Sequence, residues 1–288
     1  MTFSIVAYDP NEASWGVGVA SKFLAAGAMV NWAEAGAGAV ATQSFCKVGF
    51  GHDGLAMMAS GKSAQETLDT LLASDPGAAG RQVGVVDKEG RTAAYTGSGC
   101  FDWAGHRPLE GFSCQGNILA GAEVVEAMVS AFETAHGELA DRLVAALAAG
   151  DAAGGDRRGR QAAAVLVVKA QGGYGGDNDR YIDLRVDDDA LPIPRLQKLV
   201  EAHHLFFGKP KPEDQIPITN ELAREIQSWL SAQGYWKQEI TGIWDDNSKQ
   251  AFWALVGNEN VEERWNLDGN TNVIDQVALK YLRERFES

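Results

Sequence analysis

The second residue, Thr2, is of a type that can carry a nucleophile and its own base. A hydroxyl attacks poorly until something takes its proton. If Met1 is removed, the α-amine of Thr2, with a pKa of ~7.7–8.0, can take it directly or through a water. Methionine is commonly trimmed before a second residue as small as threonine, although many unrelated chains also begin Met-Thr. Ser21 and Lys22 close the second strand pattern. In a hairpin begun at residue 2, that end returns to the chain start. An ammonium there would lower the α-amine's pKa and steady developing negative charge. A solvated strand end has the same spacing.

Three further segments carry usable chemistry. Gly154-Gly155-Asp156-Arg157-Arg158-Gly159-Arg160-Gln161 combines free backbone turns with guanidinium groups that grip a carboxylate by two bonds. It lacks the spacing of a phosphate loop, and a solvated basic turn competes with the binding reading. Between Thr96 and His106 lie Cys100 and Asp102, but Cys–His catalysis needs spatial contact, and structural roles are the plainer reading. Gln115-Gly116-Asn117 reads as an amide-rich turn before a helix, whose donors would orient a peptide-like substrate or satisfy the loop.

The elements that must hold these residues follow from hydrophobic period. Residues 3–8, 15–21 and 38–44 read as strands, the first two joined by the turn chemistry of Asp9-Pro10-Asn11. Residues 54–60 and 63–73 read as helices, the second opened by a Ser63/Glu66 capping box. Residues 82–86 and 92–96 flank Asp87-Lys88-Glu89-Gly90 as a hairpin, and 123–134 and 138–149 are helical. Residues 162–169 form a nearly continuous apolar strand, as expected for one covered on both faces, and 181–186 alternate. On the latter, Tyr181, Asp183 and Arg185 share one face, where an ion pair is the modest explanation. Two antiparallel sheets packed face to face with helices outside satisfy this order. After Gly208 the stiff polar stretch Lys209-Pro210-Lys211-Pro212-Glu213-Asp214 leads into helical patterns at 219–232, 247–256 and 273–286. The expected division is 1–207 and 208–288.

Composition narrows the partners. The chain of 288 residues has 25 basic and 39 acidic side chains, a formal net charge of -14. That balance argues against nucleic acid or an anionic membrane, since both demand a basic footprint. No apolar run reaches the ~18–20 residues of a bilayer span, and the start lacks signal-peptide form, so the cytoplasm is the expected location. Cys46, Cys100 and Cys114 make neither a disulfide framework nor a zinc pattern.

Several blocks together carry a family resemblance. They are Thr2-Phe3-Ser4-Ile5-Val6-Ala7, Val19-Ala20-Ser21-Lys22-Phe23-Leu24, Gly38-Ala39-Val40-Ala41-Thr42-Gln43, Trp103-Ala104-Gly105-His106, Gln115-Gly116-Asn117-Ile118-Leu119-Ala120-Gly121 and the 154–161 segment. From Thr2 to about Arg185 the chain resembles domain-of-unknown-function family 1028, whose members are similar to Ntn hydrolases. The resemblance implies a four-layer αββα sandwich and, where active, amide hydrolysis by the amino-terminal residue. Only Thr2 matches the nucleophile position; Ser21 and Lys22 match polar helpers more loosely. The tail resembles a peptidoglycan-binding-like module through Gly234-Tyr235-Trp236 and Ile240-Thr241-Gly242-Ile243-Trp244.

The combined expectation is an α+β fold, an Ntn-hydrolase-like sandwich with a small all-α tail domain. Its function would be amide hydrolysis of a small or peptide-like substrate by Thr2, Ser21 and Lys22. Gln43, His106, Gln115, Asn117, Asp156 and Arg157 would hold that substrate, with no metal and no cofactor. The alternative is a catalytically silent ligand-binding or assembly protein, and homo-oligomers are an option because such sandwiches and tails often pair.

Overall fold

A computed structural model describes residues 2–265 and 269–286, the side chain of Glu263 excepted. The chain runs β1 (Thr2–Asp9), β2 (Ser14–Ser21), α1 (Gly27–Val30), β3 (Asn31–Glu34) and β4 (Gly38–Ser44). It continues through α2 (Gly49–Ala59), α3 (Ala64–Ala73), β5 (Arg81–Asp87), β6 (Thr92–Thr96), β7 (Gly105–Leu109) and β8 (Phe112–Asn117). Next come α4 (Glu123–Thr134), α5 (Leu139–Ala152), β9 (Ala162–Lys169), β10 (Arg180–Val186) and α6 (Pro192–Phe207). Contacts divide the chain into units of residues 1–200 and 201–288, so the division falls within α6.

The first unit is mixed α/β with antiparallel sheets. One sheet has the order β10-β9-β2-β1-β8-β7, the other β3-β4-β5-β6. Period-two alternation assigns each strand two partners. Phe3, Ile5 and Ala7 of β1 pack with α4 and α5, through Val125, Met128, Leu143 and Leu147. Val6 of the same strand, with Val17 and Val19 of β2, meets Ala39, Ala41 and Val86 of the second sheet. On the second sheet's other face, Val40, Val83 and Val85 pack with Phe50 and Met58 of α2 and Leu68 and Leu71 of α3. Helices, sheet, sheet, helices is the resulting order of layers. Each fully buried Leu, Phe or Val contributes ~1.5–3 kcal/mol.

Local chemistry explains the joints. The Ser63/Glu66 capping box forms as the sequence predicts. The turn after β5 is closed by Asp87, whose carboxylate accepts from the backbone of Glu89 and Arg91 and also from Ala64 N at the start of α3. On β2 the helix-facing positions include Gly16, where a Cβ would stand 2.7 Å from Leu143 Cδ1, so α5 lies close against the strand. The first helix of the second sheet's cover begins at Gly49 rather than at the expected 54, because Phe50 is itself a core residue.

Two expectations are corrected. Residues 115–117 are the end of β8, not a turn: the carboxamides of Gln115 and Asn117 both point between the sheets, a period of two hidden by the glycine between them. The tail unit is not all-α. Besides α7 (Asn220–Ala232), α8 (Asp246–Asn258) and α9 (Gln276–Phe286), it has β11 (Gln215–Pro217) pairing antiparallel with β12 (Val273–Asp275). Residues 273–275 therefore precede the helix they were expected to begin. Buried Ile274 joins Ile226, Leu230, Phe252, Leu255 and Leu282 in the tail's own core.

Candidate functional site

The layer between the two sheets is apolar at one end and polar at the other. On β1 the inward positions run Thr2, Ser4, Val6; on β2, inward Val17 and Val19 are followed by Ser21. Gln43 ends the inward row of β4, Gln82 begins that of β5, and Gln115 and Asn117 end that of β8. Register brings these termini to one end of the sandwich: Phe3 pairs with Ala20, Thr2 with Asn117, and Gln43 with Gln82.

The polar end is a cluster of hydroxyls and carboxamides. Thr2 Oγ1 lies 3.1 Å from Ser21 Oγ, and Thr2 is 7% exposed. Gln43 Nε2 donates to Gln82 Oε1 at 2.8 Å and, at 3.4 Å, to the carbonyls of Thr2 and Gln115. Asn117 Nδ2 donates to the same Gln82 Oε1 at 2.9 Å. Gln82 Nε2 reaches Gly116 O at 2.7 Å and Thr96 Oγ1 at 2.9 Å. Gln115 donates to Ser4 Oγ at 2.8 Å and lies over Gly84, where a Cβ would meet its Oε1 at 2.2 Å. All four carboxamide residues are at most 1% exposed. Neutral amides suit such a place, since a buried polar group is tolerated only when bonded and a buried charge costs far more. One acceptor, Gln43 Oε1, is buried with no partner among the described residues.

Gln82, the hub, is absent from the sequence-based set; its signal is a glutamine at an inward position directly before the Val83-Gly84-Val85-Val86 run of its strand. Asp156 is tied to main chain on both sides. Its buried carboxylate accepts from Lys22 N at 2.7 Å and from Arg158 N at 2.9 Å, and pairs with the Arg158 guanidinium. Gly154 and Gly155, both at positive φ, let the chain turn from α5 and bring Asp156 beside Leu119 and under the end of β2. Lys22 thus joins the cluster by its main chain, while its ammonium donates to Arg160 O at the exposed surface. Arg157 is exposed. Ile118, directly after Asn117, adopts φ 52°. For a β-branched residue this conformation costs about 1–2 kcal/mol. Its N–H donates to Phe101 O and its carbonyl accepts from Arg157 N.

A family model described as "Family of unknown function (DUF1028)" matches residues 2–196. The chain belongs to the DUF1028 family. A solved DUF1028 structure, protein SPO2555 from Silicibacter pomeroyi, is similar to it at 30% identity and a TM-score of 0.64, covering 70% of this chain and 89% of that one. Residues 206–282 match a model described as "Putative peptidoglycan binding domain", in keeping with the helical tail. No curated protein matches the chain.

The remaining candidates of this DUF1028 domain do not form a thiol site. Cys46 donates to Thr42 O at 3.2 Å and burial pushes its thiol up, away from the thiolate. Cys100 donates to Arg81 O, and fully buried Cys114 is raised further by the same desolvation. His106 Nδ1 bonds Thr96 Oγ1 at 2.8 Å, on the rim of the Gln82 network, and burial lowers its pKa so that the neutral ring is favoured. On β10, Asp183 pairs with Arg180 at 2.9 Å rather than with Arg185. Among the described residues no group of three or more His, Cys, Asp or Glu is disposed to hold a metal, and no helix is long and apolar enough to cross a membrane.

Proposed function

We propose that this protein is an N-terminal-threonine amide hydrolase of the Ntn type, its first unit a four-layer αββα sandwich of that kind. The observation that carries the reading is the contact of Thr2 Oγ1 with Ser21 Oγ at 3.1 Å, within a cage of neutral carboxamides at the very start of a central strand. Removal of Met1 would give the same residue a primary amine. The orphaned Gln43 Oε1 supports the reading, because the carboxamide already touches Thr2 and an unmet buried acceptor costs about 1–3 kcal/mol.

In the proposed reaction the α-amine takes the hydroxyl proton as Oγ1 bonds to the substrate carbonyl. The tetrahedral intermediate collapses to a threonyl ester, and the departing amine leaves with the proton held by the α-ammonium. Water, deprotonated by the same amine, then releases the acid and restores the hydroxyl. Ser21 orients Oγ1 through their bond. The ammonium of Lys22, bonded to Arg160 O, is assigned to substrate binding rather than to the oxyanion.

Intact mass of the native protein is the direct test. Loss of Met1 is expected, together with cleavage of amide substrates that Thr2→Ala abolishes and Thr2→Ser retains. Full retention of Met1 on native protein sinks the proposal. The second reading, a silent ligand-binding or assembly protein, draws on the low exposure of Thr2, with the Thr2–Ser21 contact then a structural closure of β1 on β2. It predicts retained Met1 and ligand affinity unchanged in Thr2→Ala.

A further inference from the structure

An open hollow of about 400 Å³ adjoins the Thr2 end of the sandwich, lined by Lys22, Gly159, Arg160, Asp188, Asp189 and Ala190. Lys22 directly follows Ser21, and the 154–161 segment that carries Asp156 supplies the opposite wall. Of its charged groups, two are already spent. Arg160 Nε bonds Asp151 at 2.7 Å, and Asp189 bonds Arg195 at 3.1 Å while accepting from Leu191 N. Two are not. Among the described residues, the Lys22 ammonium meets only the carbonyl of Arg160, and the Asp188 carboxylate meets only the uncharged amide of Gln161. The opposite charges line one cavity without forming an ion pair with each other. By contrast, another hollow, about 480 Å³ around Glu34 and Asp179, has its arginine, Arg180, committed to Asp183.

We infer that the hollow beside Lys22 binds the zwitterionic head of an α-amino acid, its carboxylate on Lys22 and its ammonium on Asp188. Both contacts are charge-assisted hydrogen bonds that neither side chain now makes with a protein group of opposite sign. Resting on the hydrolase reading, the assignment also restricts the scissile bond. Thr2 does not line the hollow, so an amide presented to it must be carried away from the zwitterion, on the side chain of the bound amino acid. The substrate class is then a side-chain amide of an acidic amino acid, glutamine or a γ-glutamyl amide being the simplest members.

The test measures binding without chemistry. Thr2→Ala protein is titrated with L-glutamine, N-acetyl-L-glutamine and L-glutamine α-amide, following backbone amide resonances by NMR. L-Glutamine is expected to shift Lys22, Gly159 and Asp188, and blocking either charge to weaken binding about fivefold or more, the loss of one partly solvated pair. Lys22→Met should level glutamine with its α-amide, and Asp188→Asn should level it with the N-acetyl compound. Both side chains are exposed, so unchanged spectra elsewhere will verify the fold. Equal binding of the blocked compounds, or no shift at millimolar glutamine, overturns the inference. The two proposals fail separately. Zwitterion binding in a protein that keeps Met1 removes the hydrolase and leaves the hollow. Thr2-dependent cleavage of amides with no preference for the zwitterion does the reverse.

Discussion

Replacing Gln82 by leucine removes the shared partner of the inter-sheet network while keeping side-chain bulk. Gln82 Oε1 receives two donors, Gln43 Nε2 and Asn117 Nδ2, and its own Nε2 serves Gly116 O and Thr96 Oγ1. In the variant, buried donors on Gln43 and Asn117 lose an acceptor and the Gly116 carbonyl loses a donor. Each orphaned group costs about 1–3 kcal/mol, partly offset by the added apolar burial and by rotation of Gln43 or Asn117, so about 3 kcal/mol is expected overall. For a unit of this size that corresponds to a fall in Tm of roughly 6–12 °C. Calorimetry is the assay, because the first unit and the tail have separate cores and should unfold in distinguishable transitions. Only the first unit's transition should move. Hydrogen exchange should rise in β1, β4 and β8, whose ends the network joins. Gln65→Leu, on the exposed face of α3, serves as the control and should change stability by no more than about 0.5 kcal/mol. A Gln82→Leu Tm within 2 °C of the parent, set as about the control's own scatter, would refute the claim that the carboxamides act as one bonded unit.

Two further outcomes follow from ion pairs. The Asp75 carboxylate is held down to about 2, first by its hydrogen bond from Arg81 and then by Gly77 N and Lys47, against burial that opposes it. Its folded pKa lies below the unfolded 3.8, so its stabilisation is complete above that value and disappears as pH falls toward about 2. Asp75→Asn should flatten the melting temperature over that window while lowering it near neutrality. In the tail, Arg264 is nearly buried, pairs with fully buried Asp275 at 3.1 Å, and donates to the carbonyls of His204 and Leu205. Arg264→Met leaves that carboxylate only the backbone N–H groups of Val277 and Ala278, and loss of its cation should cost the tail's transition about 3 kcal/mol, with the first unit's transition unchanged.

Strands, helices and their order were legible because the period of apolar residues reports burial directly. Residues 162–168, apolar throughout, are covered on both faces, and the Ser63/Glu66 box starts α3 where its spacing says. Short edge elements were not legible. β3 is only Asn31–Glu34, partly exposed, and β7 contains Pro108, so neither shows alternation strong enough to stand out. The site was half legible. Thr2, Ser21, Gln43 and Asn117 do meet, but the hub Gln82 does not advertise itself, because one polar residue at an inward strand position looks like a strand end. By residue type Asp156 reads as a substrate-binding side chain and Lys22 as a catalytic helper. The structure adds a backbone contact between them, Lys22 N to the Asp156 carboxylate, which residue type cannot encode.

An apolar layer between two sheets would be at least as stable as one made of amides, since replacing all members of a buried polar group together can be neutral or better. The far end of this layer, Val6, Val17, Val19, Ala39, Ala41 and Val86, is built that way. What the amides add is direction: each bond fixes an angle, and the bonds converge on the carbonyl of Thr2 and the end of β8. Gln43→Leu, Gln82→Leu and Asn117→Leu each strand partners, but together they remove most of the stranded groups. The triple variant should therefore be less destabilised than the sum of the singles by about 1 kcal/mol or more, read from the first unit's calorimetric transition. Its β1–β8 end should nevertheless exchange amide hydrogens faster than in the parent, because apolar contacts do not fix angles. If the singles simply add, the amides contribute independently, and the convergence on Thr2 loses its energetic basis.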